Sequence, residues 1–112
     1  MTTTASAGQV GPAAYTERQV QEIAEAIPGS GMPGYPTALA QARVEGRVLA
    51  EFVVDTAGRV ELDSFRAVES TNPVFTESVR AALPALRYRP ATIDGKPVRQ
   101  IVQQPFVFSL DE

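Results

Sequence analysis

The residues that could do chemistry in this chain are four carboxylates, two glycines and one short basic-aromatic run. Asp55, Asp63, Glu69 and Asp94, if they converged in pairs, could act as acid and base or hold calcium. Asp55 and Asp94, however, stand in "DTAG" and "DG", turn sequences in which Asp is favoured for its bonds to nearby backbone. The chain has no His, Cys or Trp. That removes the commonest general base, every thiol nucleophile and any disulfide framework. Gly46 and Gly58 fit no phosphate-binding pattern and suit a hairpin instead. Arg87-Tyr88-Arg89 offers a single aromatic between two cations, far short of the stacking platform that single-stranded nucleic acid needs. Tyr88 is expected to pack inward, with Arg87 and Arg89 in solvent. No enzyme, no cofactor and no nucleic-acid partner is expected, so function has to be sought in shape, edges and partners.

The composition agrees. At 112 residues, with 44% hydrophobic and 21% charged residues, the chain suits one globular domain with a single modest core. A net charge of −3, spread along the chain, provides no basic stripe for nucleic acid or for an anionic membrane. No stretch approaches the roughly 20 apolar residues of a membrane helix. The start, "MTTTASAGQVGPAA", lacks the charged and apolar regions of a secretory signal, and residues 1–14 read as a disordered tail.

The elements follow from spacing. In residues 15–34, Thr16 and Gln19 have capping-box spacing, and Val20, Ile23, Ala24 and Ile27 recur at helical intervals before Pro28-Gly29. The pattern predicts a helix, with an extended linker as the alternative. Pro36 suits the first position of a short helix over 35–43. The stretch "ARVEGRVLAEFVVDTAGRVELDSFRAV" reads as a β-hairpin turning at Gly58. Val48, Ala50, Phe52 and Val54 share one face, and Val60 and Leu62 resume it. Phe65 and Ala67 fall one residue out of phase, which predicts a β-bulge at Asp63-Ser64. Asn72 caps a second helix with Pro73 at its first position. Phe75, Val79, Ala82, Leu83 and Leu86 form its apolar stripe, and Pro84 ends it. The final strand, 97–110, turns Val98, Val102, Phe106, Phe108 and Leu110 inward, with Gln100 and Gln104 interrupting that face. Pro105 cannot donate to a ladder, so this is expected to be an edge strand. The sum is an α+β fold, a small antiparallel sheet of hairpin plus C-terminal edge strand packed against two helices.

An exposed edge can add a strand from an extended peptide, can stay solvated, or can pair with a second copy in a homodimer. In order along residues 33–110, "YP", the hairpin, "LRYRPA", "DGKPV" and "PFVFSL" resemble the C-terminal domain of TonB, the energy transducer of Gram-negative bacteria. The resemblance assigns residues 35–112 to that domain and places it in the periplasm. It implies a transducer anchored in the inner membrane, which would reach the proton-channel complex only through an anchor and a Pro-rich spacer that these 112 residues do not contain. The domain would bind the TonB box of an outer-membrane transporter by strand addition and transmit force for uptake of siderophores or cobalamin. The expected contacts are Val98, Arg99, Gln100, Ile101, Val102, Gln103 and Gln104, with Gly34 and Tyr35 close by. The alternative is a periplasmic interaction domain of a signalling or envelope-assembly protein that uses the same edge. Leu86 and Gly34 stand where the family often has Trp and a polar residue.

Overall fold

The computed structural model describes residues 14–110. All but the last residue of the expected disordered tail therefore lies outside the described residues. From Tyr15 to Ile27 the chain is not the expected helix but the alternative, an extended strap. A 3-10 turn at Glu17–Gln19 leads into a two-residue strand, β1 (Glu25–Ala26). The capping signal is real but local: Gln19 Oε1 accepts from the Thr16 amide at 2.8 Å and closes only that turn. A short isolated helix is marginal in water, and here the backbone bonds to neighbouring strands instead. The Gln21 and Glu22 amides reach the Thr92 carbonyl, and the Ile27 amide reaches that of Arg87.

Helix α1 (Thr37–Gln41) follows Pro36, which sits just outside it in an extended conformation. Strands β2 (Gly46–Val54) and β3 (Val60–Ser70) form the hairpin. Its turn depends on Asp55, whose Oδ1 accepts the amides of Ala57 and Arg59, both at 2.9 Å. Gly58 takes φ +85°, and a Cβ there would lie 2.1 Å from the Tyr88 carbonyl oxygen. The register slips between Glu51 and Val53, where Leu62 to Phe65 of β3 have no partner. This bulge is larger than the single extra residue expected, and a second slip follows at Val68. Ser64 stitches the first, its Oγ accepting the Val53 amide at 2.8 Å and donating to the Glu61 carbonyl. Leu62 consequently points outward, half exposed, rather than into the core.

Helix α2 (Pro73–Ala82) starts as expected, with the Asn72 side chain accepting the Val74 amide at 2.8 Å. It tightens into a 3-10 turn at Leu83–Ala85, where Pro84 sits. Strands β4 (Tyr88–Arg89), β5 (Ala91–Ile93), β6 (Lys96–Val98) and β7 (Gln100–Phe108) complete the chain. The expected single strand over 97–110 is thus two, parted at Arg99. β6 turns back on β5, while β7 runs antiparallel to β2 in unbroken register from Gly46 opposite Phe108 to Val54 opposite Gln100. The main sheet has the order β3-β2-β7, and β1 pairs with β4.

The core lies between one face of this sheet and α2. Val48, Ala50, Phe52 and Val54 meet Phe75, Val79 and Leu83 there, all buried as the periodicities require. Phe75 and Phe108 stack at 4.2 Å between ring centroids, and Tyr35 stands edge-on to both. Tyr88 is buried as expected, and burial pushes its hydroxyl up to about 12. Arg89 is exposed, whereas Arg87 folds back on the carbonyls of Pro84 and Leu86.

Candidate edge-binding surface

The orientation of every backbone group on β7 follows from its backbone bridge to Tyr15 of the strap. Tyr15 donates its amide to the Arg99 carbonyl at 2.9 Å and accepts the Ile101 amide at 2.8 Å, a parallel bridge on the side of β7 away from β2. Because a strand's N–H and C=O groups alternate sides, the odd-numbered residues of β7 face outward and the even-numbered ones bond to β2. Pro105 is odd-numbered, so its missing N–H takes nothing from the β2 ladder. Side chains alternate as well. Gln100, Val102 and Phe108 are buried on the core side, while Gln103, Pro105 and Val107 are exposed on the other.

The nine residues expected to meet a partner divide into two groups. Val98 belongs to β6 and pairs with Ala91. Arg99 chelates Glu61, Nε to Oε2 at 2.7 Å and Nη2 to Oε1 at 2.8 Å, and this carboxylate raises the guanidinium further above its already high range. Gln100 is buried and accepts the Ala24 amide. Ile101 holds Tyr15, and Val102 is core. The Arg99–Val102 end of the edge is therefore engaged with the chain's own residues.

Gln103 and Gln104 stand where the edge opens. Gln103 donates to Glu51 at 3.0 Å, and Gln104 accepts the Tyr88 hydroxyl at 3.1 Å. Among the described residues, no strand pairs with the outer side of β7 from Gln103 to Val107. The Pro105 carbonyl has one long contact there, from the Gln104 carboxamide at 3.4 Å. Gly34 and Tyr35 come to the same end. The Gly34 carbonyl accepts from Ser78, and the Tyr35 hydroxyl donates to the Val44 carbonyl at 2.5 Å. A groove of about 270 Å³ separates Met32, Pro33 and Tyr35 from Pro105–Ser109 of the edge.

Pro105 and Val107 lie on the same open stretch of the edge but outside the expected set. The signal for them was available in the sequence: a proline tolerated mid-strand marks the side on which no ladder bond is made. Met32, three-quarters exposed beside the groove, carries no such signal. Asp55 closes its turn, Asp94 takes φ +53° in the β5–β6 turn, and no acidic cluster suited to a metal occurs among the described residues.

No curated protein matches this sequence. Residues 32–110 match the family described as the Gram-negative bacterial TonB protein C-terminal. The solution NMR structure of the Pseudomonas aeruginosa TonB C-terminal domain is similar, at 26% identity and a TM-score of 0.61, over 87% of this chain and 94% of that one. With its three-stranded sheet, its two helices and an open C-terminal edge strand, this chain belongs to the TonB C-terminal domain family, a non-enzymatic family of energy-transducer domains.

Proposed function

We propose that the outer edge of β7 from Gln103 to Val107 receives an extended segment, the TonB box, of an outer-membrane transporter in the periplasm. The carrying observation is the unpaired outward side of β7 over these residues, next to the groove at Met32–Tyr35. A strand added there gains main-chain hydrogen bonds that are nearly independent of sequence. An apolar side chain of that strand, seated in the groove, supplies selectivity. The footprint is shifted toward the C-terminus relative to residues 98–104. Force then passes from the added strand through β7 into β2, to which β7 is paired along its whole length. Such a load is shared among parallel rungs instead of falling on one bond.

The test is a titration of the amide resonances with a panel of N-terminal peptides from TonB-dependent transporters. The expected result is saturable shifts at Gln103, Val107 and Met32–Tyr35, with the β3 amides unmoved. Shifts confined to β3, or none across the panel, overturn the reading in favour of another partner for this edge.

A further inference from the structure

We infer that residues 15–19 are an internal occupant of the β7 edge, and that a long partner strand must displace them to pair beyond Gln103. This rests on the strand-addition reading above and concerns how that site is regulated. Tyr15 makes the two bonds, to the Arg99 carbonyl and from the Ile101 amide, that a parallel partner strand would make at that rung. The 3-10 turn at Glu17–Gln19 follows, and Thr16, Glu17 and Arg18 line a shallow pocket with Ile101, Gln103 and Glu51 of β2.

The strap is held unevenly. Every residue from Tyr15 to Gln19 is exposed, and the bridge at Tyr15 is its one pairing with β7. Beyond Val20 the lacing is dense. Gln21 bonds to Asp94, Glu22 bonds to Thr92, the Ala24 amide meets buried Gln100, and β1 pairs with β4. The first part can detach about Val20 while the second stays in place, because only the first can exchange its bonds for water without burying an unpaired group.

What detachment exposes matters to a ligand. Without it, the outward side of β7 from Gln103 to Val107 offers two N–H donors, at Gln103 and Val107, because Pro105 has none. Release of Tyr15 adds the Ile101 amide. A short partner therefore binds the open end alone, and a longer one competes with the chain's own residue for the next rung.

The experiment uses the full chain, Tyr15→Pro, which removes the amide bonded to Arg99, and Gln19→Ala, which opens the turn at an exposed position. Amide hydrogen exchange is read first, without ligand. Ile101 is expected to exchange at least about 100-fold faster than Val102, whose amide faces β2. Peptide titration follows, using transporter N-terminal peptides. Tyr15→Pro is expected to bind them about 5- to 30-fold more tightly than the parent, the scale set by one or two hydrogen bonds, and Gln19→Ala is expected to move the same way by less. Ile101 exchanging as slowly as Val102 overturns the inference, as does unchanged or weaker affinity in both folded variants. If no peptide binds any of the three proteins, the transporter reading falls, and the competition with it. The exchange rate at Ile101 then decides detachment by itself, fast supporting it and slow overturning it.

Discussion

The buried carboxamide oxygen of Gln100 accepts the amide of Ala24 at 2.8 Å, joining the strap to the sheet from within the core. Neither residue is near the other in sequence, and each satisfies a polar group that would otherwise be stranded. Gln100→Leu keeps the volume but leaves the Ala24 amide without its acceptor. The variant is expected to lose about 1–3 kcal/mol in denaturant unfolding. Its exchange protection should fall at Ala24 and Ile27 but not at Phe52.

The orientation of β7 makes a paired prediction. Val107→Pro removes an outward N–H that β2 does not use, so stability should change by less than about 1 kcal/mol while peptide affinity falls about tenfold. Phe106→Pro removes an inward N–H and should unfold the sheet. Circular dichroism and the peptide titration separate the two. Equal damage from both substitutions would mean that the assignment of sides is wrong.

Gly58 and Gly95 both have positive φ, but only one of them is crowded. A Cβ at Gly58 meets the Tyr88 carbonyl oxygen at 2.1 Å, whereas one at Gly95 meets nothing within 4 Å. Gly58→Ala should therefore cost about 2–3 kcal/mol, and Gly95→Ala about 1 kcal/mol from backbone strain alone. Thermal unfolding of the two variants checks the order.

Tyr88 should make the fold alkali-sensitive. Its folded value, about 12, lies above the ordinary value of 10.0 because burial disfavours the phenolate. Between those values the unfolded chain releases a proton that the folded one retains, so stability is intact below pH 10 and declines as the pH rises toward 12. Tyr88→Phe should flatten that decline in a series of melts from pH 9 to about 12.

The Arg99–Glu61 chelate spans β2 from the start of β7 to the start of β3, with both side chains partly exposed. A double-mutant cycle to Ala should give a coupling of about 1 kcal/mol or less, shrinking at high salt.

Where side-chain period alone decides the outcome, the sequence was sufficient. The inward face of Val48, Ala50, Phe52 and Val54 and the stripe on α2 follow from it, while the Asn72 cap and the turn at Gly58 follow from the local preferences of those residues. For the strap the sequence left helix and extended linker open, because Val20, Ile23, Ala24 and Ile27 carry a helical spacing whose stability depends on packing, and Ile23 and Ile27 stay exposed. The outward turn of Leu62 was missed because a bulge of several residues leaves the same phase shift as a bulge of one. At the edge, Pro105 marked the correct strand. That its first half is already engaged depends on Tyr15, far away in sequence, and no local pattern encodes that pairing.

The nine-residue register between β2 and β7 pairs residues 46–54 with residues 100–108, which β3 and α2 separate in the chain. The β2–β3 hairpin and α2 can form from local contacts as soon as they are made, but β7 is synthesised after all of them. Until it docks, β2 has a bare edge of unpaired N–H and C=O groups, the kind that recruits strands from other chains. Docking of β7 thus also ends the nascent chain's exposure to aggregation. Ribosome stalling or cleavage before Phe108 should yield insoluble chains, not merely inactive ones.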